Sequence, residues 1–139
     1  MKYALIGLFI LASCCSPQKL TISTDEAMVN ISRDIQQLIG EAYPTVFGNP
    51  GPGNLAVCLH GSHIIVDRFE WDRHDDVWRF YLLLHENGHC VLGRSHYDEM
   101  EMVDGYMRPV SVMHRNVFLV SKFPQWKAYY VQELLSHVP

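Results

Sequence analysis

The sequence has few basic residues, and nowhere are they grouped. Lysine and arginine together number 11, against 15 aspartates and glutamates, and the formal net charge is −4 at pH 7. No cluster of five or more basic residues occurs anywhere in the chain. Proteins that bind nucleic acid carry their positive charge as a patch, a stripe or a basic segment. The composition therefore predicts that nucleic acid is not a partner.

The sequence also lacks an apolar run long enough to cross a bilayer, for which a helix needs about 20 residues. The apolar run at residues 3–11 follows Lys2 and is much shorter. A short apolar run behind a basic residue at the N-terminus is typical of a secretory signal. The alternative is an ordinary N-terminal hydrophobic helix of the fold.

Residues 11–14 resemble a bacterial lipobox, because Leu11, Ala12 and Ser13 precede Cys14. The resemblance implies cleavage before Cys14 and attachment of lipid to it, and several acyl chains suffice for stable membrane anchoring. We therefore expect a signal peptide at 1–13, a lipidated cysteine with its tether at 14–24, and a folded domain at 25–139. The protein is expected in the bacterial cell envelope, anchored on the periplasmic or cell-surface side of a membrane.

The remaining chain carries enough apolar material for one domain. The sequence is 48 % hydrophobic and 12 % aromatic, and nothing in it indicates a second domain. Ser23 and Glu26 have the spacing of a capping box, and the apolar residues that follow recur at helical spacing. A first helix is therefore predicted to run to about Glu41, before Pro44.

Two apolar runs, at residues 55–59 and 64–69, are separated by Gly61 and Ser62. This pattern predicts a β-hairpin. His60 and His63 flank the turn, and we expect them to face solvent rather than to bind a metal.

The second half of the chain contributes further helices to the expected fold. Asp75 and Asp76 precede an apolar run and suit the start of a central helix. Residues 97–110 lack clean periodicity and are expected to form a loop along one side of a cleft. From Ser121 a last helix is predicted, with Pro124 in its first turn. The expected fold class is α+β, a small single domain.

Residues 85–96 are the most informative stretch of the chain. On a helix, His85 and His89 lie one above the other and can offer ring nitrogens to one ion. Glu86 lies beside them and can act as general base toward a metal-activated water, which is the chemistry of the HExxH pattern. The alternative is a core helix whose histidines are merely hydrogen-bonded, but burying so many titratable groups without a metal is costly.

A third ligand is expected a few residues later. Gly93 can end the helix in a left-handed conformation and so turn His96 back toward the ion. Three histidines with one open position are typical of a catalytic zinc site. Asp98 or Glu99 is the alternative third ligand.

This stretch resembles the zinc site of the metzincin peptidases, HExxHxxGxxH followed by a Met-turn, and residues 111–114 (Ser-Val-Met-His) resemble that turn. In the metzincin signature the glycine and third histidine lie one residue earlier. The stretch is more similar to small bacterial lipoprotein-type metallopeptidases with an HExGHCxLxRxH core, matched here by His85, Glu86, Gly88, His89, Cys90, Leu92, Arg94 and His96.

The resemblance covers residues 75–118 and implies a metzincin-like fold with one zinc ion per chain. It places Met113 beneath the metal as an apolar floor. Some metzincins carry a tyrosine two residues after that methionine, where this chain has Arg115. Tyr97, Tyr106 and Arg115 are the candidates for stabilising an oxyanion.

Cys58 falls on a predicted strand and Cys90 on the predicted metal-binding helix. In an oxidising envelope the two could form a disulfide, because a sheet packed under the helix would bring them together. Two buried free thiols are the alternative.

The function predicted from the sequence is zinc-dependent hydrolysis of peptide bonds by a monomeric, membrane-anchored lipoprotein. Its partners would be a peptide or protein substrate and, through lipid, the membrane. Two alternatives stay open at this point. One is a non-catalytic lipoprotein that stores or senses zinc, and the other is an envelope interaction module in which the HExxH pattern is accidental.

Overall fold

A long buried helix at the centre of the fold positions all other elements. In this computed structural model, which describes residues 25–136, the central helix α3 spans Asp76–Cys90 and 11 of its 15 residues are buried. Asp75 caps it by accepting a hydrogen bond from the Trp78 backbone N–H at 2.9 Å. The predicted signal peptide, the lipid site Cys14 and the tether lie outside the described residues.

The N-terminal helix α1 spans Glu26–Ile39 and buries Met28, Ile31 and Ile35 against the core. The prediction of its start was wrong in detail, because Asp25 and not Ser23 is the cap. The Asp25 carboxylate lies two residues nearer to the first turn and accepts from the Met28 backbone N–H at 3.0 Å. The helix ends before the predicted Glu41, since Gly40 adopts a left-handed conformation with φ +88°.

A three-stranded sheet packs against α3. It is formed by β1 (Thr45–Phe47), β2 (Ala56–Leu59) and β3 (His63–Val66) in the order β1-β3-β2, with β1 parallel and β2 antiparallel to β3. The predicted hairpin is thus present, but its second strand ends at Val66. The predicted extension to residue 69 was wrong, because Asp67 caps a short helix, α2 (Arg68–Arg73).

A disulfide joins the sheet to the central helix. Cys58 on β2 and Cys90 at the end of α3 are bonded, with their Cα atoms 5.6 Å apart. Of the two alternatives that the sequence left open, the structure has the bridge.

Residues 97–110 do not form the predicted loop. They contain a second sheet, the hairpin of β4 (Met100–Val103) and β5 (Tyr106–Pro109). Its turn residues, Asp104 and Gly105, have φ values of +50° and +82°. An Asp-Gly pair accepts positive φ at both positions, which a tight two-residue hairpin turn requires.

The C-terminal part begins with a four-residue helix, α4 (Val117–Val120), and a 3₁₀ turn at Pro124–Trp126. The last helix, α5, spans Lys127–Ser136 and buries Tyr130 and Leu134. The prediction of a continuous helix from residue 121 was therefore wrong in its start, because the chain passes through the 3₁₀ turn first.

Five helices and two small sheets thus surround one core, and the described chain is a small α+β domain. None of the helices within residues 25–136 has both the length and the apolarity needed to cross a membrane.

Candidate metal centre

Three histidine side chains converge at one point beside the C-terminal half of α3. The Nε2 atom of His89 lies 3.1 Å from Nε2 of His85 and 3.3 Å from Nε2 of His96. One ligand atom from each of the three lies within 4.8 Å of the others. The structure therefore brings together the three histidines predicted as ligands.

Two backbone carbonyls fix how the helical histidines point. The Nδ1 atom of His85 lies 2.8 Å from the carbonyl oxygen of Val112, and Nδ1 of His89 lies 2.6 Å from that of Arg94. A carbonyl can only accept, so each Nδ1 carries the proton and each Nε2 presents a lone pair. Burial also lowers the pKa of His85 to about 3, which keeps its ring neutral at physiological pH.

This arrangement fits a bound cation. Neutral Nε2 lone pairs that face one another repel, and no proton lies between them in the tautomer that the carbonyls impose. Four donors placed tetrahedrally at about 2.0–2.1 Å from an ion lie about 3.3–3.4 Å from one another. The observed separations of 3.1 and 3.3 Å are close to this spacing. The three histidines could therefore hold a metal ion.

The turn after α3 carries His96 back to the other two histidines. Gly93 has φ +63°, and the Arg94 backbone N–H donates to the Gly88 carbonyl at 2.9 Å. The alternative third ligand Asp98 instead accepts from the backbone N–H of Arg115 at 2.9 Å and from its Nε at 2.6 Å. Glu99 is likewise not part of the cluster among the described residues.

Glu86, the predicted general base, is buried next to the histidines, with 6 % of its surface exposed. Burial raises the pKa of Glu86 to about 7, while a hydrogen bond with the backbone of Cys58 acts in the opposite direction. A carboxyl group with a pKa near the working pH can both accept and release a proton.

Met113 lies fully buried against α3, the helix that carries His85 and His89. A Cβ atom on Gly88 would collide with the Met113 sulfur and would lie 3.2 Å from the Leu134 Cδ1 atom. The methionine thus packs against α3 one residue before His89. The Ser111 hydroxyl shapes its turn by accepting from the Met113 backbone N–H at 3.0 Å.

The histidines and Glu86 line a cleft of about 720 Å³. Residues 53–58, which include most of β2, form one part of its wall, and residues 115–118 form another. Of the three candidates for oxyanion stabilisation, Arg115 lines this cleft, while Tyr97 and Tyr106 do not.

His60 lines the cleft, although the sequence predicted only that it faces solvent. It is exposed, as expected, and it contributes to the lowered pKa of His89, for which burial is the main cause. Its place in a turn next to a strand gave no signal for this, because the contact depends on how the sheet packs on α3.

No protein-family model, curated protein or solved structure matches this chain. Its function must therefore be argued from the chemistry of the site itself.

Proposed function

We propose that this chain is a zinc-dependent peptidase. The observation that carries the proposal is the convergence of three histidine Nε2 atoms, with separations of 3.1 and 3.3 Å, beside a buried glutamate in an open cleft. Storage or sensing of a metal needs the histidines but gives no reason for a buried carboxylate beside them. Hydrolysis needs both.

Three neutral imidazoles are the donor set of catalytic zinc sites, and they leave one coordination position for water or substrate. When bound, zinc supplies Lewis-acid polarisation of a carbonyl and lowers the pKa of a water ligand to about 7. The three histidines provide no negative charge. The full charge of the ion would therefore be available to the reacting groups.

Glu86 is assigned the proton transfers. Its carboxylate accepts a proton from the attacking water and then delivers it to the departing amine nitrogen. Burial raises the pKa of Glu86 to about 7, and a nearby cation would lower that pKa again and so favour the carboxylate that the first step needs.

The shape of the cleft suits an extended peptide. In the described sheet β2 is an edge strand, because it pairs with β3 on one side and with no strand on the other. Residues 56–58 of β2 line the cleft. Peptides bind such edges by adding a strand through backbone hydrogen bonds. Arg115, on another part of the wall, could donate to a carbonyl oxygen that gains negative charge.

Envelope location and lipid anchoring through Cys14 belong to the same proposal. They rest on the sequence of residues 1–14, and the Cys58–Cys90 disulfide agrees with an oxidising compartment.

The direct experiment replaces Glu86 with Gln and measures zinc content and cleavage of a peptide library. Glu86→Gln should keep its zinc and lose turnover by at least about 100-fold, the lower range for removing a general base. Glu99→Gln is the control, since Glu99 is outside the cluster. Peptidase activity retained in Glu86→Gln would refute the assigned mechanism. Stoichiometric zinc without turnover on any peptide would favour a storage or sensing protein.

A further inference from the structure

The carbonyls that orient His85 and His89 belong to segments far apart in the sequence, and both segments are held by one side chain. That side chain is Glu133 on α5. Its two carboxylate oxygens accept from two different partners, Arg94 and Ser111.

The first branch leads to His89. Arg94 accepts the His89 Nδ1–H through its backbone carbonyl at 2.6 Å. Its guanidinium donates from Nη2 to Glu133 Oε1 at 2.9 Å and from Nη1 to the Leu134 carbonyl at 3.0 Å. Both terminal nitrogens of the Arg94 guanidinium therefore tie the turn that supplies the carbonyl to α5.

The second branch leads to His85. Its partner carbonyl belongs to Val112, which lies between Ser111 and Met113. The Ser111 hydroxyl donates to Glu133 Oε2 at 2.6 Å and accepts from the Met113 backbone N–H at 3.0 Å. The Met113 N–H belongs to the same peptide group as the Val112 carbonyl, so Ser111 fixes the peptide group that orients His85.

We propose that Glu133 is a positioning residue for the metal centre, because its carboxylate holds both histidine-orienting carbonyls in register. The inference rests on the proposed metal site and adds a residue that acts through Arg94 and Ser111. The Arg94 and Glu133 side chains are only 13 % and 9 % exposed, so water cannot replace their contacts freely. Outer partners of metal-binding histidines set ring orientation and ligand basicity.

The chain contains a second arginine–glutamate pair, which has no connection to the carbonyls of Arg94 and Val112. Glu101 on β4 accepts from Arg108 at 2.9 and 2.6 Å, and Arg108 is buried. Neither residue contacts a carbonyl that orients a metal-site histidine. Glu101→Gln therefore alters another arginine–carboxylate pair, in which the carboxylate is 36 % exposed against 9 % for Glu133, and it serves as the control for general destabilisation.

The test compares zinc affinity, by competition with a chromophoric chelator, in wild type, Glu133→Gln and Glu101→Gln. Glutamine removes the negative charge, so Arg94 keeps only a neutral acceptor and the Ser111 hydroxyl must reverse its bond and accept from the amide N–H. Zinc binding should weaken about 10-fold in Glu133→Gln, the lower end of the range for losing a direct partner of a ligand, because Glu133 acts one contact further out. It should weaken less than about threefold in Glu101→Gln. Equal affinities in Glu133→Gln and wild type, or equal losses in both variants, would overturn the inference. Wild type that binds no zinc would overturn the proposed function itself.

A second readout separates positioning from stability and does not need metal. In the apo protein, ¹⁵N NMR of the imidazoles reports whether Nδ1 carries a hydrogen-bonded proton. Ser111→Ala should change this signal for His85 and leave that of His89, whereas Arg94→Lys should do the reverse. Should Glu133→Gln fail to fold, this branch-specific pattern still supports the inference, and equal changes at both histidines would contradict it.

Discussion

The Cys58–Cys90 disulfide should contribute a large share of the stability of this small domain. The two cysteines are separated by 32 positions in the sequence, and the bond closes a loop of that length. In the chain-entropy treatment, closing a loop of this length removes about 12 cal/mol/K from the unfolded state, or ~3.7 kcal/mol at room temperature. The perturbation we consider is the double variant Cys58→Ala/Cys90→Ala.

The free energy of unfolding should fall by about 3–4 kcal/mol in this variant. For a domain of this size that corresponds to a decrease in Tm of about 10–20 °C. Urea unfolding followed by circular dichroism measures the first quantity, and calorimetry the second. Wild type treated with a reducing agent is the control, and it should behave like the double variant.

The same variant should also disturb the positions of Glu86 and His89. The backbone of Cys58 forms a hydrogen bond with Glu86, and Cys90 follows His89 directly in the chain. A loss of less than about 1 kcal/mol on removing the bridge would refute the loop-entropy reasoning. A reduced wild type as stable as the oxidised protein would refute the bridge itself.

Two further predictions concern the packing behind the site and the pH dependence. Gly88→Ala should destabilise the fold by about 1–3 kcal/mol despite alanine's better helix propensity, because its Cβ meets the fully buried Met113. Urea unfolding of the double variant Gly88→Ala/Met113→Ala should show partial recovery of that stability. A Gly88→Ala protein as stable as wild type would contradict the packing. Burial raises the pKa of Tyr81 to about 12 and also raises that of Tyr130. The folded state therefore keeps these protons to higher pH than the unfolded chain does. The contribution of Tyr81 to the free energy of unfolding is complete below about pH 10 and is lost as the pH rises from about 10 to 12. Urea midpoints across this range should fall less steeply in Tyr81→Phe, and identical slopes would argue against the assignment.

The central helix and the clustering of its histidines could be predicted from the sequence because the signals are local. The four-residue spacing of His85 and His89 and the left-handed Gly93 act within two turns of one another, so no tertiary information is needed. His96 was harder to assign than the first two. Its rival Asp98 is excluded from the cluster by contacts with Arg115, 17 positions away.

The second hairpin, β4–β5, has a local signal in its turn residues. Asp104-Gly105 is a strong turn pair, but the flanking strands expose Met102 and Tyr106 and bury Arg108, the reverse of the usual pattern for a half-buried strand. β1 had no such signal, since it has only three residues and pairs in parallel with β3 across a long connection. Glu133 gave no signal either, because its bond to Arg94 spans 39 positions. β1 and the contact of Glu133 depend on long-range packing, which local residue patterns do not reveal.

The central claim is that the three histidines hold one zinc ion, and metal content by plasma mass spectrometry tests it most directly. Purified wild type, His96→Ala and Asp98→Ala should be measured side by side. The proposal predicts about one zinc per wild-type chain and a large loss in His96→Ala. It predicts retention of zinc in Asp98→Ala, because Asp98 is engaged by Arg115. Wild type without zinc, or zinc retained in His96→Ala and lost in Asp98→Ala, would contradict the three-histidine centre.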